Sequence, residues 1–427
     1  MKVQEFPALQ NFSRLECVIM NINKSENIIY FDNNATTKVA DEAVDVMLPY
    51  FSQRYGNPSS MHSFGGSVGL EIKKARAQVG ELLGASDPDR EIIFTGSGTE
   101  SANMAIRGVL GINNKSKNHL ITTKVEHPCV LNTYKWLEKR GYRVTYLDVN
   151  SIGELDLDEL KSGITPETAL VSCMWANNET GVLFPVEKMA EIIKEINPET
   201  RFFVDAVQVA GKIPIDVKQT KIDMLGISGH KLHAPKGIGA LYVKKGVMVN
   251  PLIIGGHQER GKRAGTENVP SIIGFGTASE LAMAHLDTEL NYIKPLRDKL
   301  ELGILERVFN ARVNGNKEYR VPNTTNISFE YIEGELILLY FSDLNICASS
   351  GSACTSGSLE PSHVLRAMGI PFTAIHGSIR FSLSRYNTEK EVDYVLEAVP
   401  EVISRLNSMS PYQKQLKELQ KIKQIHS

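Results

Sequence analysis

The sequence predicts an α/β fold: a mostly parallel sheet with helices on both faces, followed by a smaller C-terminal α+β domain. Three observations predict it. Short β-rich runs alternate with helix-period segments from about residue 28 to 285, and these runs are apolar on both sides, as doubly covered strands are. After a long amphipathic stretch, 278–308, a second and shorter alternation covers 324–400.

In order, the runs are IIYF (28–31), EIIFT (91–95), HLITT (119–123), VTYLDV (144–149), ALVSCMW (169–175), RFFVDA (201–206), DMLGIS (223–228) and GALYV (239–243). Helical segments such as 71–84 and 185–196 lie between them, and NISFEYI (326–332) and GSIRFSL (377–383) supply strands to the second region. The apolar run 336–341 reads as a buried strand or helix. The organisation that follows has an N-terminal extension (1–27) and a large domain (28–285), whose first strand region (28–45) packs with a small domain (286–409). A polar, basic tail (410–427) with Leu416, Leu419, Ile422 and Ile425 at helical spacing reads as a solvated terminal helix.

Charge and composition exclude several function classes. Lys plus Arg (47) nearly balance Asp plus Glu (49) in 427 residues, and nothing in that balance asks for nucleic acid or an anionic membrane as partner. No apolar stretch approaches the roughly 20 residues of a membrane helix. The first 28 residues lack a secretory h-region, and Glu5, Glu16 and Glu26 argue against a transit peptide. Five scattered cysteines (17, 129, 173, 347 and 354) are no disulfide framework and point to a reducing cytoplasm.

Chemistry concentrates at strand ends. Ser228-Gly-His230-Lys231 directly follows DMLGIS, the position where open α/β folds place ligands, and Lys231 reads as the Schiff-base lysine of pyridoxal phosphate. Asp205 ends RFFVD and could keep the pyridine nitrogen protonated, making the ring an electron sink. Gln208 lies on the same side if a helix begins there, near the phenolic oxygen. Thr95-Gly-Ser-Gly-Thr99 joins a strand to a helix, where glycines and free N–H groups cradle an anion. His127, after HLITTKVE, could stack on the ring and shuttle a proton. Each feature alone is ordinary; their shared order and placement carry the cofactor assignment.

The segments FDNNATT (31–37), GNPSSMHSFG (56–65), MWANNETG (174–181), GHKLHAPKG (229–237), GGHQERGKRAGTEN (255–268) and SSGSACTSGSLEPSHVLRAMGIP (349–371) resemble the nitrogen-fixation (NifS) branch of the cysteine desulfurases, within the class V aminotransferase superfamily. The resemblance covers roughly residues 28–412. It implies a fold-type I pyridoxal-phosphate enzyme in which Gly98 and Thr99, with Ser228 and His230, meet the phosphate. It also implies that Thr266 reaches the phosphate from the neighbouring subunit of a homodimer. Asn178 and Gln208 lie near the phenolic oxygen and substrate, and Arg380 clamps the α-carboxylate of L-cysteine, a task suited to its planar fork. Ser97-Gly98 departs from the Gly-Ala commoner at that turn, and the N-terminal extension has no counterpart.

Cys354 separates this activity from its neighbours. It sits among small residues with no apolar anchor, whereas the other four cysteines can be packing residues. The resemblance implies that Cys354 takes the substrate sulfur as a persulfide, leaves alanine, and passes sulfur to an iron–sulfur scaffold for nitrogenase maturation. It assigns Cys354 a further role as transient ligand of a [2Fe–2S] cluster shared with that scaffold. Two other readings stand beside this one: an aminotransferase or selenocysteine lyase on the same fold, and a non-catalytic scaffold.

Overall fold

The structure is a computed structural model that describes residues 28–110, 117–350 and 361–426, with side chains as far as 422. Among these residues the strands are β1 (Ile29–Tyr30), β2 (Ile92–Thr95), β3 (His119–Thr123), β4 (Arg143–Leu147), β5 (Thr168–Met174), β6 (Arg201–Asp205), β7 (Met224–Ser228), β8 (Gly239–Val243), β9 (Ala311–Val313), β10 (Thr324–Phe329), β11 (Ile346–Cys347) and β12 (Ser378–Ser382). The main sheet runs β2-β8-β7-β6-β5-β3-β4. Its pairs from β4 to β7 are parallel, and β8 is antiparallel to both neighbours. That is the mostly parallel α/β architecture expected, with β5, β6, β7 and β8 buried along nearly their whole length.

The C-terminal region carries a three-stranded antiparallel sheet, β12-β10-β9. β1 leaves the main sheet altogether. It pairs in parallel with β11, and Asp32 bridges to Ser382 at the end of β12. Phe31, Phe329, Phe341 and Phe381 form the centre of the apolar cluster beneath this region. The segment after β1 is therefore strung between the two sheets, which bears directly on the site below.

Three expected elements differ in detail. The helix expected at 71–84 begins earlier, at Ser63, because the His62 ring nitrogen accepts from Gly65 N and caps it. It packs against the helix Val269–Ala284 so closely that a Cβ on Gly276 would stand 2.7 Å from Ala75 Cα. The amphipathic stretch 278–308 is not continuous: Val269–Ala284 ends, a π-helical turn covers Glu289–Ile293, and Lys294–Arg307 restarts with Pro295 in its first turn. The run 336–341 lies in the helix Gly334–Asp343, where Ile337 and Phe341 are buried but Leu336 and Leu339 face outward. The tail forms a helix, Gln413–His426, with Leu416 buried.

Candidate active site

Parallel pairing aligns the carboxyl ends of β5, β6 and β7: Met174 lies opposite Asp205, and Asp205 opposite Gly226. A cavity of about 280 Å³ opens there. Gly98, Thr99, His127, Asn178, Asp205, Gln208, Ser228, His230, Lys231 and Arg380 all line it. Residues separated by up to 282 positions in sequence thus converge on one space.

Lys231 closes a 3-10 turn, Gly229–Lys231, directly after β7. Its Nζ donates to the carbonyl oxygens of Asn34 and Ala35. Those carbonyls belong to the segment strung between the sheets, which is fastened to the lysine turn by Thr37 N donating to His230 O and by contact of Thr36 Oγ1 with His230 Nδ1. Asn34 is a hub: its amide donates to Thr324 Oγ1 and Asn178 O, and its carbonyl also accepts from Gln208 Nε2. Asp32, Asn34 and Ala35 were not among the expected site residues. Their signal was present in the motif FDNNATT, which carried family resemblance but no individual role.

Asp205 is buried, and burial pushes its carboxyl up to about 6 despite the hydrogen bond from Val207 N and the Lys231 charge. Such an acid gains by acquiring a cationic partner in the cavity. No helix begins after it; Ala206–Ala210 form turns, which nonetheless deliver Gln208 to the same wall. Gly98 and Thr99 open the helix Gly98–Val109, where backbone N–H groups lack intrahelical acceptors. A Cβ on Gly98 would meet Val207 Cγ2 at 2.9 Å and Ser228 Cβ at 3.2 Å, so only glycine leaves this corner open. A buried acid for a pyridinium, a helix terminus for a phosphate and a lysine amine, all lining one cavity, fit pyridoxal phosphate.

His127 is the N-cap of the helix Pro128–Glu138, and its Nδ1 accepts from Cys129 N at 3.2 Å. That bond leaves the proton on Nε2. Burial and the Lys231 charge lower the imidazole to about 4, so it is neutral. Arg380, on β12, is 3% exposed. Its Nη1 donates to Asn178 O at 2.9 Å and its Nη2 to Asp32 Oδ1 at 2.7 Å, while its Nε is buried without a hydrogen-bond partner among the described residues. Asn178 therefore serves Arg380 through its backbone.

Two buried acids were missed by sequence reasoning. Glu126 is fully enclosed; its Oε1 accepts from Thr123 Oγ1 and Met174 N, and burial raises it to about 8. Glu179, raised to about 7 by burial, accepts from the Ser362 hydroxyl. Neither sits in a pattern that distinguishes it from a surface acid.

Thr266 is not brought to this cavity. It is exposed in a separate cleft beside β2. The segment carrying it is held by a buried bidentate pair, Arg76 with Glu259, whose carboxylate also accepts from Phe94 N. Cys354 lies outside the described residues. Cys129, expected as a packing residue, packs against an apolar cluster and also lines the cavity, and burial raises its thiol well above the usual range. Among the described residues no cluster of three or more His, Cys, Asp or Glu could hold a metal.

Residues 29–395 match the family described as Aminotransferase class-V. The chain belongs to that family. Among class-V relatives, a cysteine desulfurase of a Nostoc species is 58% identical over 386 residues, 90% of this chain and 95% of its own length. The cysteine desulfurase NifS of Azotobacter vinelandii is 55% identical over 384 residues, 90% of this chain and 94% of its own. A solved structure titled NifS-like protein superposes with a TM-score of 0.84 at 42% identity, covering 89% of this chain and all of that one.

Proposed function

We propose that this class-V protein is a cysteine desulfurase: it carries pyridoxal phosphate on Lys231, moves sulfur from L-cysteine onto Cys354 as a persulfide, and releases L-alanine. The observation that carries the reading is the single cavity in which Lys231, Asp205, His127 and Arg380 meet. Relatives 55–58% identical over nine-tenths of the chain and named cysteine desulfurase support it.

Bound there, the cofactor supplies an electron sink joined to the substrate amine. Gly98 and Thr99, with Ser228 and His230, hold the phosphate, and Asp205 keeps the ring nitrogen protonated. Gln208 and Asn178 stand near the phenolic oxygen. Arg380 takes the cysteine carboxylate with Nε and the remaining hydrogens of Nη1 and Nη2, while Asp32 and the Asn178 carbonyl fix the plane of its fork. Lys231 removes the Cα proton, and the Asn34 and Ala35 carbonyls are placed to receive the ammonium that results. His127, neutral and with Nδ1 engaged, acts through Nε2–H as a hydrogen-bond donor toward the substrate.

The Cys354 thiolate attacks the substrate sulfur: an S–S bond forms, the Cβ–S bond breaks, and Cβ takes up a proton to become the methyl of alanine. One cysteine and one protein thiol thus become one alanine and one protein persulfide. Cys129 cannot substitute, because a thiol raised by burial is a poor source of thiolate.

The enzyme is a homodimer in which Thr266 completes the partner's phosphate site. Its persulfide acceptor is an iron–sulfur scaffold, with Cys354 a transient ligand of the [2Fe–2S] cluster formed there, and nitrogenase maturation is the pathway. We place it in the cytoplasm, on cysteine usage. The described residues contain no helix long and apolar enough to cross a membrane.

The direct test is to supply cysteine and a reducing thiol to the cofactor-loaded protein. Alanine and sulfide should appear in equal amounts, and Lys231→Ala should lose roughly a hundredfold or more of the rate. Pyruvate in place of alanine, or a normal rate in the variant, would refute the reading.

A further inference from the structure

Behind Gln208 lies a second lysine that does not line the cavity. Lys212 is 6% exposed, and its Nζ donates to Gln208 Oε1 at 3.1 Å and to Asn34 Oδ1 at 3.3 Å. Gln208 is itself 5% exposed, and its Nε2 donates to the Asn34 carbonyl at 3.1 Å. An ammonium group has hydrogens to give and no lone pair to offer. Together with the Asn34 carbonyl, which can only accept, it therefore sets the Gln208 amide: the oxygen turns to Lys212, and the nitrogen to the other side. One Nε2 hydrogen is spent on Asn34, and the second remains for the cavity.

We propose that Lys212 is a positioning residue that locks the Gln208 amide so that it presents an N–H, not a carbonyl, to the phenolic oxygen of the cofactor. The inference rests on the reading above that Gln208 stands near that oxygen. A donor there stabilises the oxygen in its ionised form, whereas a flipped amide would set oxygen against oxygen. The groups facing Lys212 are Glu289 from the π-helical turn, Lys231 from the lysine turn, Arg380 from β12 and His233. Burial pulls the Lys212 amine below its ordinary value, and the Glu289 charge offsets that fall only in part. Glu289 thus supports the cation that orients the amide. A buried lysine whose only task was packing would cost stability with no such directional consequence.

The test reads the cofactor spectrum rather than turnover. For the cofactor-loaded enzyme, the pH midpoint of the change in visible absorption is measured in wild type, Lys212→Met, Lys212→Arg and Gln208→Ala, and in the double variant Lys212→Met/Gln208→Ala. Circular dichroism and an unfolding midpoint establish that each is folded. Lys212→Met should raise the absorption midpoint by about one pH unit, the scale of one lost hydrogen bond. Lys212→Arg, which keeps donors and offers no acceptor, should stay near wild type. In the Gln208→Ala background, Lys212→Met should add nothing, since its action runs through that amide.

An unchanged midpoint in Lys212→Met overturns the proposal, as does a shift of equal size in the Gln208→Ala background. A shift in Lys212→Arg as large as in Lys212→Met would mean that a donor-only group at this position does not hold the amide, which also overturns it. If Gln208→Ala alone leaves the midpoint at the wild-type value, what fails is the placement of Gln208 beside the cofactor. Should Lys212→Met not fold, Gln208→Glu takes its place: exchanging the presented N–H for oxygen must raise the midpoint beyond that of Gln208→Ala, and no rise refutes the lock.

Discussion

At the scale of single residues, burial raises Glu126 to about 8 and lowers His127 to about 4, so both are uncharged at neutral pH. For Glu126 the sign is opposite to that of a salt-bridged acid. Between its ordinary 4.5 and about 8, the folded chain keeps a proton that the unfolded chain has released. Rising pH therefore favours unfolding, by at most about 1.4 kcal/mol per pH unit. Glu126→Gln preserves an oxygen for Thr123 and Met174 and cannot ionise. Its unfolding free energy relative to wild type should grow between pH 6.5 and 8 in denaturant titrations. Parallel pH profiles would show that Glu126 does not hold a proton. At this scale the sequence was legible where a residue type had a chemical reason to sit at a strand end, as with Lys231 and Asp205. It was not legible where the reason was enclosure, as with Glu126 and Glu179, or a backbone carbonyl, as with Asn34 and Ala35. Neither burial nor carbonyl direction has a one-dimensional signature.

Among the elements, the helix Glu389–Met409 shows how tertiary contact repairs a local defect. Thr388 and Glu391 form a capping box at its start, but Pro400 lies in its interior and cannot donate to the Leu396 carbonyl one turn back. Arg307, at the end of the helix Lys294–Arg307, donates its Nη1 to that carbonyl at 2.7 Å. Arg307→Met should cost about 1 kcal/mol in wild type and clearly less in a Pro400→Ala background, where the helix satisfies Leu396 itself. Equal costs in the two backgrounds would separate the arginine from the proline. Strands buried on both faces, such as β5 and β7, were readable because a continuous apolar run bounded by turn residues admits few alternatives. β9, only three residues, and β11, only two, were not, since both are too short to show a periodic pattern, and the partner of β11 lies at the other end of the chain. The early start of the helix at Ser63 was hidden by the glycines of its first turns, which tertiary packing tolerates.

For the whole molecule, the exposed positions say most about assembly. Phe51, Tyr55, Met61 and Leu70 are each at least 63% exposed within one short stretch of chain, apolar side chains of the kind a subunit interface covers. Thr266 stands apart from the cavity of its own chain, and the proposed dimer gives it one to serve. Mixing Lys231→Ala chains with Thr266→Ala chains should yield hybrids in which one of the two sites holds both defects and the other holds neither. Activity should then exceed that of either parent, and hybrids no more active than their parents would argue for independent sites. The mostly parallel architecture was legible from alternation alone, whereas the joining of β1 to β11 and the C-terminal sheet rests on contacts more than 300 residues apart. The proposed activity turns on sulfur reaching Cys354. The most direct measurement treats the cofactor-loaded wild type and Cys354→Ala with cysteine, follows alanine, and weighs the peptide containing residue 354. Wild type should form alanine and carry one extra, reducible sulfur on that peptide, while Cys354→Ala should bind cysteine, change its absorption and release no alanine. Alanine at the wild-type rate from Cys354→Ala would contradict the persulfide mechanism outright.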